Sequence, residues 1–161
     1  MSNLPKSRRL WRLVKTQYTT CAFDGEGAFR FGGRWNSRGQ GVVYASGSLS
    51  LAVLEMLVHL DPAAHLPELS AISIEVPADL IATQEFSSLD AISGGLPWSL
   101  RETRTWGDEW ASLRKTAALE VPSAIVPNES NYLINPKHSS FAQFKLGKAV
   151  VFPVDTRLFY S

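Results

Sequence analysis

The sequence has one cysteine, Cys21, and so cannot build an internal disulfide framework. That scarcity fits a reducing, cytoplasmic compartment. Its three histidines, His59, His65 and His138, are scattered and none lies near Cys21, so no metal-ligand spacing is present and no metal is expected. There is no Walker loop and no G-x-S-x-G elbow of a serine hydrolase. Gly25-Glu26-Gly27 starts like a dinucleotide fingerprint, but it lacks the third glycine and a preceding βαβ unit, which excludes a Rossmann reading. Neither charge sign is in excess: 16 Lys and Arg face 15 Asp and Glu, a net charge of +1. A dedicated nucleic-acid surface would be strongly basic, so direct nucleic-acid binding is not expected, although a local basic pocket remains open. The opening MSNLPKSRRLWRL has no apolar signal-peptide region. The longest apolar run is short and broken by Glu55 and His59, which predicts no membrane span. No repeat, linker or low-complexity tract interrupts the chain.

What is present fits one globular domain. The length of 161 residues suits a single core, and 45% of the residues are hydrophobic. Residues 1–9 are polar and basic and read as a flexible N-terminus. Leu10–Val14 reads as a first strand and Thr16–Ala28 as a connection. Ala71–Val76 alternates cleanly, with Ile72, Ile74 and Val76 inward. Residues 78–100 form an irregular excursion suited to a lid. Thr105–Leu113 reads as a short helix with Trp106, Trp110 and Leu113 along one side, where tryptophans are more often core than ligand platform. Ala117–Val121, Ser123–Val126, Asn131–Ile134 and Val150–Val154 are short strand candidates. The irregular alternation predicts an α+β class with several short, mostly antiparallel strands.

The most informative stretch is Phe29–Leu60. Its first part is a basic glycine-rich loop, in which Gly32, Gly33, Gly39 and Gly41 allow tight turns and close approach of backbone to a ligand. Arg34 and Arg38 add charge, and an arginine fork suits bidentate phosphate contact; the plain alternative is a hairpin connection with solvated arginines. Then comes a strand, Val42–Ser46, whose alternation places Val42, Tyr44 and Ser46 on one face. A helix, Leu49–Leu60, follows, capped by Ser48 and apolar nearly all round, which predicts burial. Glu55 is its only acid, and a carboxylate there is costly unless it is paired or faces a wet cleft. Arg12 reads either as a surface strand residue or as a buried cation in need of an anion. Ser123, read alone, is a strand-end hydroxyl bonded to backbone.

GGRWN, VVYAS and SLAVLEMLVHL, followed by WASLRKTAALEVPSAIVP, NYLINPKH and DTRLF, resemble the RES-domain family across about residues 10–159. These are the toxins of bacterial RES–Xre toxin–antitoxin pairs. The resemblance implies a fold like that of ADP-ribosyltransferases of the diphtheria-toxin type. It implies NAD+ as substrate, cleaved by phosphorolysis or hydrolysis, with protein ADP-ribosylation as the alternative and inorganic phosphate as a candidate co-substrate. By motif it matches Arg34, Glu55 and Ser123 to the family's namesake residues, Tyr44 to the aromatic of its pocket and Arg12 to its early arginine; the site expected on this reading has Arg34, Tyr44, Glu55 and Ser123 as catalytic residues and Arg12, Gly33, Trp35 and Asn135 as substrate-binding ones. The residues suit that chemistry without forcing it. An arginine and loop N–H groups can hold a pyrophosphate, an aromatic face can stack on the cationic nicotinamide, and a carboxylate can stabilise the oxocarbenium-like ribose. The resemblance further implies an Xre-like helix-turn-helix antitoxin. The expectation is that it inserts a segment into the cleft, the alternative being that it locks residues 78–100. A homodimer is left open, as is a non-catalytic partner-binding module.

Overall fold

The computed structural model describes residues 6–61, 63–83 and 95–158. Among the described residues eight strands form one sheet: β1 (Ser7–Lys15), β2 (Val43–Ser46), β3 (Leu69–Pro77), β4 (Ile81–Thr83), β5 (Ala118–Pro122), β6 (Ser130–Ile134), β7 (Lys145–Leu146) and β8 (Val150–Phe152). Their order is β4-β5-β6-β2-β1-β3-β7, with β8 also on β3. Every pairing is antiparallel except β4 with β5. The α-helices are α1 (Glu26–Phe31), α2 (Leu49–Leu57) and α3 (Leu100–Leu113). The α+β class read from the sequence holds.

The spine is β1 against β3, in register from Ser7↔Pro77 to Lys15↔Leu69. Because side chains alternate across a strand, Leu10 and Ile74 point to one face and Leu13 and Ala71 to the other. The first face packs Leu10, Val43, Ala45, Ile74, Val76 and Ile134 into the larger core. The second receives α2 through Leu13, Ala52, Leu69 and Ala71, bordered by Trp11, Val53 and Met56.

Several expectations change. The first strand starts at Ser7, so residues 7–9 are not frayed: Arg9 Nε donates to Glu75 Oε1 at 2.8 Å, and Arg8 Nη1 to Glu120 Oε2 at 2.9 Å. Within the predicted connection, Glu26 opens helix α1, with its backbone N–H bonded to Asp24 Oδ1. Helix α2 ends at Leu57 and is not buried all round: Leu51 and Ala52 are buried, but Leu54 is 39% and Val58 59% exposed. One side of this helix rests on the sheet and the other faces solvent. Residues 123–126 do not form a strand, because the Ser123 hydroxyl accepts the N–H groups of Ile125 and Val126 and turns the chain. Helix α3 begins five residues before the predicted Thr105, at a Ser99–Glu102 capping box. Its Leu113 is exposed rather than aligned with Trp106 and Trp110 in the core. Of the proposed lid, residues 78–83 are a 3-10 turn and β4, and 84–94 lie outside the described residues. Among the described residues no helix is long and apolar enough to cross a membrane.

Candidate active site

Strands β1 and β2 share one paired position, Trp11 with Ser46, and then part. A cavity of about 460 Å³ opens at that seam, with α2 on one side and the Gly32–Trp35 loop on the other. This volume falls within the usual range for small-molecule sites. Arg12, Arg34, Tyr44 and Glu55 all line it, together with Gly33 and Trp35.

The loop is held by its own side chains. Tyr44 Oη donates to Asn36 Oδ1 at 2.7 Å and accepts the Trp35 N–H at 3.1 Å. Asn36 is fully buried, and its Nδ2 is shared among the carbonyls of Ala28, Ser37 and Gln40. Gly33 is needed because a Cβ there would stand 2.6 Å from Tyr44 Oη and 2.8 Å from Asn36 Oδ1. Burial drives the Tyr44 phenol well above the usual tyrosine range, so it stays protonated and remains a donor. The hydroxyl is therefore committed to the loop, and the ring is what Tyr44 offers the cavity. Trp35 is 2% exposed and packs with Leu119, Val121 and Leu133, with Trp106 and Trp98 at centroid distances of 6.4 and 6.5 Å.

Glu55 is presented from α2 with its two oxygens in different surroundings. Oε1 accepts the Ser123 hydroxyl at 2.8 Å and the Asn131 amide at 2.5 Å. Among the described residues, Oε2 has no hydrogen-bond donor. Ser123 is fully buried, does not line the cavity, and binds both Glu55 and the turn amides. It therefore fixes the carboxylate rather than meeting a ligand. Asn131 does line the cavity, and its Oδ1 accepts from Ser46 Oγ at 2.8 Å.

The two arginines differ. The Arg12 guanidinium fills the gap where β1 and β2 part, donating to the carbonyls of Ala22 at 2.6 Å and Tyr44 at 2.7 Å. Burial lowers its pKa to about 10, opposed by the nearby charge of Asp24, so it stays cationic at neutral pH. No carboxylate forms an ion pair with it among the described residues. Arg34 is exposed at the loop tip, and no side-chain partner holds its guanidinium among the described residues.

The structure thus brings Arg12, Gly33, Arg34, Trp35, Tyr44 and Glu55 to one cavity, with Ser123 directly behind. Asn135 does not belong to this group. It sits at the turn after β6, donating to the Ala111 carbonyl at 3.4 Å and accepting the Lys137 N–H at 3.0 Å, and it does not line this cavity. Sequence reasoning missed Asn131 and Asn36. The strand pattern of Asn131–Ile134 gives Asn131 no role, and the capacity of Asn to satisfy several backbone groups at once is the available signal at Asn36. Among the described residues, no three or more His, Cys, Asp or Glu side chains gather as metal ligands.

The RES domain family model matches residues 9–155. A protein of Photorhabdus laumondii named "Toxin Res" is 36% identical over 150 residues, covering 92% of this chain and 96% of that protein. The "Prs ADP-ribosylating toxin" of a Sphingobium species is 38% identical over 156 residues, covering 92% and 94%. A "Toxin Res" of Pseudomonas putida is 37% identical over 154 residues, covering 93% and 99%. With a family match running from β1 to the C-terminal turn and near-full-length relatives at this identity, the chain belongs to the RES-domain family.

Proposed function

We propose that this protein is a toxin that cleaves the N-glycosidic bond of NAD+ and releases nicotinamide. The observation that carries this reading is one cavity offering an aromatic ring, an arginine without a side-chain partner among the described residues, and a carboxylate with one oxygen committed and the other without a donor among them. Arg34 and the half-buried Arg12 supply positive charge for the pyrophosphate, and the ring of Tyr44 stacks on the cationic nicotinamide. As the bond from ribose C1′ to the nicotinamide nitrogen breaks, its electron pair moves onto that nitrogen and neutralises the ring. Positive charge then builds on the ribose, where Glu55 Oε2 faces it. Nicotinamide leaves neutral, so the departing ring needs no proton. Water or inorganic phosphate then adds at C1′ and releases a proton, giving ADP-ribose or its phosphate ester.

Protein ADP-ribosylation from the same cavity is the second reading, favoured by the name of the Sphingobium relative. Incubating the purified protein with NAD+, with and without phosphate and with candidate target proteins, tests both readings. Free nicotinamide without labelled protein supports the first, labelled protein supports the second, and no nicotinamide at all rejects both. The partner in this reading is an Xre-like antitoxin that carries the DNA contact and occludes the cavity.

A further inference from the structure

Helix α3 contributes no side chain to a role proposed so far, yet one of its faces lies against the loop that carries Arg34. Thr103 Oγ1 donates to the Arg34 carbonyl at 2.5 Å, and Arg104 Nε donates to the Gly33 carbonyl at 2.8 Å. Asp108 Oδ1 accepts the Ser37 N–H at 2.9 Å. Between them lies Gly107, where a Cβ would stand 1.7 Å from the Trp35 carbonyl oxygen, so helix and loop are in direct backbone contact. Positions 103, 104, 107 and 108 fall on one helical stripe. That stripe meets the carbonyls of three consecutive loop residues, 33, 34 and 35, and the N–H of residue 37. On its other side the loop is held by Tyr44 and Asn36. The backbone of Arg34 is thus gripped from two sides, while its guanidinium has no partner among the described residues.

We propose that the Thr103–Arg104–Gly107–Asp108 stripe is a latch that positions Arg34 for a diphosphate, with Asp108 and Arg104 as positioning residues. The inference rests on the reading of Arg34 as a phosphate-holding group. A loop fixed in advance loses less freedom on binding, so the latch strengthens anion binding without touching the anion.

Asp108 gives the decisive test because charge and latch predict opposite signs. Removing an acid near an anion site favours the anion by Coulomb's law; loosening the loop disfavours it. The probe is inorganic pyrophosphate, titrated calorimetrically into the full chain, with amide hydrogen exchange across residues 33–41 read in parallel. Asp108→Ala should weaken pyrophosphate binding about tenfold and speed exchange at Ser37. Asp108→Asn, which loses the charge but keeps an acceptor oxygen, should bind at least as tightly as the unaltered protein. Asp108→Ser, too short to reach the loop, replaces the alanine variant should that not fold. Tighter or unchanged binding in Asp108→Ala, unchanged exchange, or no pyrophosphate binding by the unaltered protein would overturn the latch. Failure to release nicotinamide from NAD+, with the pyrophosphate results as expected, would reject the substrate reading and leave the latch standing.

Discussion

At Glu55, two donors hold Oε1 and leave Oε2 to the cavity, so the side chain needs no reorganisation to face a developing cation. Glu55→Gln keeps an acceptor for Ser123 and Asn131 and removes only the charge. It should lower kcat for nicotinamide release by about 100-fold or more, the scale of one lost electrostatic stabiliser, with KM for NAD+ little changed; steady-state kinetics check this. Tyr44 gives a pH prediction. Its folded pKa lies above the ordinary 10.0 of tyrosine because of burial. Above pH 10 the unfolded chain therefore loses a proton that the folded one keeps, and stability falls as pH rises. At neutral pH, Tyr44→Phe should cost about 1–3 kcal/mol through the lost hydrogen bonds to the Trp35 N–H and Asn36 Oδ1. Measured by urea unfolding, that difference should shrink as pH climbs past 10. Comparing the two proteins removes the opposite contribution of Arg12, whose pKa lowered to about 10 makes stability rise with pH above that point.

Among the elements, α3 has the clearest local signal. Ser99 Oγ accepts the Glu102 N–H, and Glu102 Oε2 accepts the Ser99 N–H, closing a reciprocal cap. Ser99→Ala should cost about 1 kcal/mol and lower Tm by about 2–4 °C, the shift expected for a chain of this size, readable by calorimetry. The S-L-R-E pattern at 99–102 was legible but was overshadowed by Gly94-Gly95 and Pro97-Trp98, which read as irregular chain. Helix α2 was legible through its period and its Ser48 cap. Its exposed side was not, because an apolar surface does not say whether a second layer covers it. Arg34, Tyr44 and Glu55 stood out because turn, strand and helix signals are local. The contacts that set them in place are not local: Thr103 meets Arg34 across 69 residues, and Asn131 meets Glu55 across 76. No window of sequence contains both ends of either bond.

For the whole molecule, near-neutral charge and a cavity whose Arg34 has no side-chain partner among the described residues bear on how an antitoxin of the proposed kind would restrain the protein. An antitoxin segment ending in a carboxylate matches that arginine as well as a phosphate does. A peptide from such a terminus should raise the apparent KM for NAD+ and leave kcat unchanged; a pure kcat effect would point to locking of residues 78–100 instead. The sheet order also bears on time. Strand β2, which carries Tyr44, gains its β6 neighbour through Val43↔Ile134 and Ser46↔Asn131, and Asn131 and Ser123 also fix Glu55. During synthesis at about 5–20 residues per second, the chain between these strands takes about 4–18 s to appear. Through most of that interval a growing chain holds Arg12, Arg34, Tyr44 and Glu55 but has nothing to set the carboxylate, so the proposed activity would arise only near the end of translation.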